Sequence, residues 1–420
     1  MRFEYSESNV RSYCRDFDKI FNYASGEYVY DTSGKRYLDL LSGCGSLNYG
    51  HNHPVMRKSL VDYIEGNGIA LSLDLRTDSK EAFIDAFLNH ILKPRQFNYK
   101  MQFTGPTGAN AVEAAIKLAR KATGRTNIIA FTNAFHGCSL GALSLTANSH
   151  NRSHSGALLT NVTRAPYDGY FGERGGEAIY LEKLLSDPSG GCDLPAAIVL
   201  ETIQGEGGLN VASRNWAQSI QRIARKLGAL LIVDDIQAGC GRSGSFFSFE
   251  GLGIDPDIVV LAKSISGFGL PMSLVLMKPD FDVWAPGEHN GTFRGNNHAF
   301  VTATSAINVF WSNDGFAKTV GKLISKAHEV VSDICEHYRL RSAGRGLMIG
   351  IDLKCADTAS TVRRLCFERG LIAETCGPHG EILKLLPPLT TAPNALDDAR
   401  SIISDAVADA TRYVPQPVEV

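Results

Sequence analysis

Short apolar runs alternate with helical periods through the middle of the chain. Tyr99–Phe103 reads as a strand, followed by the loop TGPTG and a helix from about Asn110 to Thr123. Ile128–Phe131, Ala196–Leu200, Ala229–Val233 and Ile258–Leu261 are further strand-like runs. Their unbroken apolar character suits strands covered on both faces. Trp216, Ile220, Ile223 and Leu227 recur at i, i+4, i+7 and i+11, one face of an amphipathic helix that Gly228 can close. Strand and helix in alternation predict an α/β domain with a largely parallel sheet.

The last third changes character. Val320, Leu323, Ile324, Ala327, Val331 and Ile334 form a long apolar helical stripe. Leu347–Leu353 reads as a strand after a GRG turn, and Ile382–Leu386 as another, between helices near Thr358–Arg369 and Ala395–Ala410. This predicts a small α+β domain over 310–420, beside a large domain over 46–309. Residues 1–45 include the hairpin-like GEYVYDTSGKRYLDL, with a turn at Ser33-Gly34, and are expected to pack with the small domain.

Composition narrows the function. Apolar residues make up 44% and charged residues 20% of the 420, which excludes a mostly disordered chain. The 42 basic and 44 acidic residues leave a net charge of −2, so nothing calls for a nucleic-acid or membrane partner. The 9 cysteines are scattered, odd in number and form no CxxC pair, so a reducing, cytoplasmic setting is expected and a metal site is not. The N-terminus MRFEYSESNVRSY lacks the apolar core of a secretory signal, and no apolar run approaches the length of a membrane span.

In open α/β sheets ligands bind beyond the carboxyl ends of the strands. After the first strand, Thr107, Gly108 and Ala109 open a helix whose free amides could cradle a phosphate, or could simply form a tight turn. NAFHG follows the second strand, and Phe135 could stack on a flat ring or belong to the core. ETIQGEGG brings Glu201 and Glu206, for acid–base work or for structural ion pairs. Asp234 and Asp235 end a buried strand and need a cationic partner, which a protonated heterocycle or Arg242 could supply. Lys263 ends the next strand, where desolvation favours Schiff-base chemistry unless the amine snorkels to solvent. Together, phosphate loop, aromatic, strand-end Asp and strand-end Lys are the parts that hold pyridoxal 5′-phosphate.

These motifs resemble the class III (ω-amino acid) aminotransferases of fold type I. The resemblance runs from NYGHNHP through ANAVEAAIKLAR, FHG, ETIQGEGG, VDDIQAGCGRSG and LAKSISG to GTFRGN and LKLLPPL. Within that family, QFTGPTGANAVEAAIKLARKATGRTNI, PGEHNGTFRGNN and KLLPPLT look most like the diaminobutyrate–2-oxoglutarate aminotransferases. The resemblance implies a large domain with a seven-stranded, mostly parallel sheet and a small domain built from both termini. It implies transfer of the amino group of glutamate to L-aspartate 4-semialdehyde, supplying ectoine, siderophore or peptide-antibiotic assembly. Ornithine, 4-aminobutyrate or a similar amine is the alternative substrate. A non-transaminating relative or a non-catalytic protein on the same fold are the remaining readings.

Roles carry over by motif. The resemblance makes Lys263 the Schiff-base lysine and Asp234 the partner of the pyridine nitrogen. Gln237 falls near the phenolic oxygen, Ile236 under the ring, and Phe135 against it. Thr107, Gly108 and Ala109 form the phosphate loop, and Glu201 and Glu206 are the family's two glutamates. Thr292 reaches the phosphate of a neighbouring subunit, which implies at least a homodimer. Four positions depart from the family pattern: Asp235 for Glu, Asn110 for an acid, Arg294-Gly295-Asn296-Asn297 for GGNP, and Lys384 for the carboxylate-gripping Arg. A lysine offers a point charge in place of a bidentate fork, so either Arg294 or Lys384 is expected to take the substrate carboxylate.

Overall fold

Seven strands make one sheet in the order Lys100–Phe103, Leu274–Met277, Ile258–Leu261, Leu230–Asp234, Ala197–Leu200, Ile128–Phe131, Val162–Ala165. The structure, a computed structural model, describes residues 2–153, 159–172 and 175–412. Leu274–Met277 runs antiparallel to both neighbours, and the other neighbours pair in parallel. The strands alternate between two cores. Ile129, Phe131, Ile198, Leu200, Leu231 and Val233 face one side. Ile128, Ala130, Ala197, Val199, Leu230 and Ile232 face the other. This two-sided burial is the reason the strands read as unbroken apolar runs.

The helix Gly108–Thr123 covers one face with a seam of small residues, including Ala111, Ala114, Ala115 and Ala119. The helix Arg214–Leu227 covers the other through Trp216, Ile220 and Ile223. Its Ser213 cap accepts the Trp216 N–H, and Gly228 closes it at φ 63°, a left-handed turn that glycine adopts without strain. Pattern alone did not reveal Val162–Ala165, whose VTRA is too polar for a buried run, or the antiparallel Leu274–Met277. The helices Pro54–Glu65, Asp78–Ala86 and Asn297–Phe310 also lay outside the sequence reading.

A second body holds two four-stranded sheets. One contains Arg341–Arg345, Met348–Asp352, Ile382–Leu385 and Glu374–Cys376, all antiparallel. The other joins the N-terminal strands Phe21–Ser25, Tyr28–Asp31 and Arg36–Asp39 to Leu371–Ile372. The Ser33-Gly34 turn is held by Asp31, whose carboxylate accepts the N–H groups of Ser33 and Lys35. Leu38 and Leu40 share a core with Val320, Ile349, Leu371 and Ile403, beneath the helices Gly315–Tyr338, Ala356–Glu368 and Pro393–Arg412. Residues 1 and 413–420 of the expected terminal regions lie outside the described residues. Among the described residues no helix is long and apolar enough to cross a membrane.

Candidate active site

Three parallel strands end at one cavity. Leu230–Asp234 delivers Asp234, Ile236 and Gln237; Ile258–Leu261 delivers Lys263; Ala197–Leu200 delivers Glu201 and Glu206. The loop after Ile128–Phe131 adds Phe135 and His136, and the helix start adds Gly108 and Ala109. The cavity measures about 390 Å³. Lys263 is half-buried and begins a short 3-10 turn with φ 51°, a left-handed backbone unusual for a side-chain-bearing residue.

Asp234 is buried, and its side-chain partner is His136. The His136 Nδ1 lies 2.7 Å from Asp234 Oδ2, while Oδ1 accepts the Ile236 N–H at 3.1 Å. Burial opposes a charge on His136, but the hydrogen bond and charge of Asp234 outweigh it and raise its pKa. Glu201 completes the group. Its carboxylate accepts the Phe135 N–H at 3.0 Å and the Gly205 N–H at 3.4 Å. Burial pushes Glu201 up to about 7, with His136 pulling it back and Asp234 adding to the rise.

Arg242, the alternative partner considered for the strand-end acids, is elsewhere. It is fully buried and donates to the carbonyls of Pro387 and Leu347 and to Asn48. It ties the two bodies together. Asp235 faces away from the cavity side of the strand, because successive strand residues point to opposite faces. It accepts the Ser248 N–H at 3.0 Å, and burial pushes it up to about 7.

Glu206, Phe135 and Lys263 also line a wider adjoining cavity of about 870 Å³, with Tyr13 and Cys44 on its wall. Lys384 stands behind Glu206. It is fully buried, with Nζ 2.8 Å from Glu206 Oε1 and 2.9 Å from Glu374 Oε1. Burial opposes the Glu206 charge, yet Lys384 and Lys263 hold its pKa at about 2. Burial likewise opposes the Lys384 charge, and the two glutamates raise its pKa well above the ordinary value. Gln237 donates to Glu206 at 3.2 Å and to the Cys44 carbonyl at 3.2 Å.

Some expected residues are not brought here. Thr107 caps the helix, its hydroxyl accepting the Asn110 N–H at 3.1 Å, and does not line the cavity. Thr292 and Arg294 lie on the turn Thr292–Gly295; Arg294 pairs with Asp74 and lines a separate cavity of about 680 Å³. Within one chain, then, Arg294 is not a carboxylate-binding group of this cavity, and Lys384 is the cation beside it. His136, Tyr13, Cys44 and Glu374 were not singled out from sequence. FHG marked His136, and the turn GPHG sits midway between Glu374 and Lys384, which face each other across the hairpin.

The donor set fits pyridoxal phosphate. Gly108 and Ala109 supply first-turn amides, which a helix leaves open. A Cβ on Gly108 would lie 2.9 Å from Ile236 Cδ1, so a side chain here would have to push Ile236 aside. The Gln237 Oε1 is buried without a hydrogen-bond partner among the described residues, an acceptor suited to a hydroxyl. Asp234 suits a protonated ring nitrogen, and the Lys263 amine suits an aldehyde.

The fold and this constellation define a fold type I, pyridoxal-phosphate-dependent transferase. The family model Aminotransferase class-III matches residues 14–407, and the chain belongs to that family of aminotransferases. It is 51% identical over 408 residues to a diaminobutyrate–2-oxoglutarate transaminase of Vibrio parahaemolyticus, covering 96% of each chain. A protein of that name from Vibrio cholerae is 52% identical, covering 96% of this chain and 98% of the relative. Among solved structures, the ornithine aminotransferase of Toxoplasma gondii superposes with a TM-score of 0.83 at 26% identity, covering 98% of this chain and 94% of that one. An aminotransferase of Bacillus anthracis shares the fold, with a TM-score of 0.85 at 22% identity and 97% of each chain covered.

Proposed function

We propose that this aminotransferase carries the amino group of L-glutamate to the aldehyde carbon of L-aspartate 4-semialdehyde, giving L-2,4-diaminobutyrate and 2-oxoglutarate. The observation that carries the reading is Glu206, which lines both cavities and pairs with the buried Lys384 behind it. The Lys384 ammonium can be covered by Glu206 or offered to a carboxylate, so one site can serve two substrates of different charge. Relatives of that named activity, about half identical over nearly the full length, support the choice of substrate. No second reading has an observation of its own.

Bound pyridoxal phosphate supplies the aldehyde that carries the amino group and a ring that takes up electron density. The Lys263 amine takes the proton from the substrate carbon and returns it at the cofactor carbon. Asp234 keeps the proton on the pyridine nitrogen, and His136 fixes the Asp234 carboxylate. Phe135 and Ile236 would flank the ring and Gln237 would face its hydroxyl, while Glu201 braces the Phe135 loop. Gly108 and Ala109 would receive the phosphate at the helix start, which Thr107 caps. Thr292 of a second copy completes that site, making the enzyme a homodimer. Lys384 takes the α-carboxylate of glutamate when Glu206 withdraws.

The same reading treats 1–45 and 310–420 as one small domain beside 46–309, supported by the core that Leu38 and Leu40 share with Val320 and Leu371. Nine free thiols support a cytoplasmic setting. The test mixes holoenzyme with L-2,4-diaminobutyrate and no keto acid, following cofactor absorbance. Conversion to the amine form, reversed by 2-oxoglutarate and faster than with ornithine or 4-aminobutyrate, is expected. Faster conversion by either rival would discard the substrate and keep the transaminase.

A further inference from the structure

Glu374 and Lys384 are direct cross-strand partners in the antiparallel pair Glu374–Cys376 and Ile382–Leu385. Such a pair is held by the sheet itself, whereas Glu206 reaches Lys384 from a loop. The lysine is therefore neutralised twice. Glu206 and Glu374 each lie within 2.9 Å of one Nζ, so this corner carries one more negative charge than positive. Glu374 is about 5% exposed, and its charge has little water to screen it.

That charge reaches the cavity wall through Tyr13. The Tyr13 hydroxyl donates to Glu374 Oε2 at 3.1 Å, and its oxygen lies 2.7 Å from Cys44 Sγ. Tyr13, Cys44 and Glu206 line the wider cavity, while Glu374 sits one layer behind them. With its proton given to Glu374, the phenol oxygen is left as an acceptor on the cavity wall, shared with the Cys44 thiol. Burial and the Glu374 charge keep both the Tyr13 phenol and the Cys44 thiol protonated, Cys44 rising to about 11.

We propose that Glu374 is a positioning residue for substrate specificity: it makes the substrate end of the cavity select an ω-amine carrying a second, α-ammonium over one ending in a bare carboxylate. This rests on the reading of the chain as an ω-amine transaminase. A bare far-end carboxylate meets excess negative charge. A far end with both ammonium and carboxylate is neutral overall, and its cation meets the phenol oxygen and Glu206. Glu374→Gln removes the excess charge and keeps nearly the same shape.

The test compares two matched amine pairs on the holoenzyme: 2,4-diaminobutyrate against 4-aminobutyrate, and ornithine against 5-aminovalerate. Members of each pair differ only by the α-ammonium. The kcat/KM ratio within each pair should favour the diamine in the native enzyme and fall about tenfold in Glu374→Gln, mostly through KM. Glu374→Asp should recover part of it. A readout independent of turnover is Cys44 alkylation followed by peptide mass spectrometry, whose pH profile should move to lower pH in Glu374→Gln. No diamine preference in the native enzyme, or ratios unchanged within twofold in Glu374→Gln while Cys44 alkylation moves, overturns the proposal. Preference for ornithine over diaminobutyrate, with both pair ratios still collapsing in the variant, would remove the substrate reading and leave the role of Glu374 standing.

Discussion

Two buried groups of charge border the cavity, each with two carboxylates around one basic side chain. Glu201, His136 and Asp234 form one; Glu206, Lys384 and Glu374 form the other. They differ in what holds them. In the first, every member is pinned by backbone N–H groups or by the 2.7 Å His136–Asp234 bond. In the second, Glu374 is fixed by sheet register, while Glu206 sits on a glycine-flanked loop and is about a third exposed. Under the proposed function this difference has a use: a cofactor that stays needs a fixed counter-charge, and substrates that alternate need one that can be withdrawn.

The largest break in this contrast is expected at Asp234. Asp234→Asn should lower single-turnover rates by about 10²–10⁴-fold, the scale of a lost acid–base function. It should also lower the His136 pKa, read by NMR, since Asp234 is what raises it. A variant with native rate would show that the carboxylate is only structural.

Next is Lys384→Ala, which strands the buried Glu374 and the partly exposed Glu206. Removing one partner of a buried ion pair costs about 3–5 kcal/mol, measurable by urea denaturation of the holoenzyme. The glutamate KM should rise together with that loss. A stability change below about 1 kcal/mol would show that the two acids do not depend on the lysine.

The smallest effect is in pH. Glu201 is raised from its ordinary value to about 7, so its contribution is full below about 4.5 and lost as pH rises through 7. Glu206 is depressed to about 2, so its contribution is present above about 4.5 and lost as pH falls toward 2. In Glu201→Gln, the Tm of the native enzyme relative to the variant should decline by a few degrees, roughly 1–3 °C, between about pH 5 and 8. A flat difference would remove Glu201 from the titrating group.

Most of the residues on the Asp234–Lys263 side of the cavity were legible in the sequence. Strand ends and the loops after them are local, so Asp234, Lys263, Gly108 and Phe135 could be read as strand-end or loop residues before any pairing was known. What was not legible is what depends on strand order. His136 and Asp234 meet because Ile128–Phe131 and Leu230–Asp234 flank Ala197–Leu200, and no periodicity states that order. Arg242 looked like a partner for the acids because it is near in sequence; the structure turns it toward Leu347 and Pro387 instead. Glu374 was missed for a local reason: the CGPHGE turn makes a hairpin that pairs it with Lys384, and the turn went unread.

The pairing of Leu38 with Leu371 has a consequence for how the chain is made. Roughly 330 residues must leave the ribosome between the two strands, which at about 5–20 residues per second takes on the order of 20–60 seconds. The seven-stranded sheet, complete by Met277, can assemble in that interval. The N-terminal hairpin spends it with one edge unpaired, so the nascent chain is most exposed to aggregation at the end that was synthesised first.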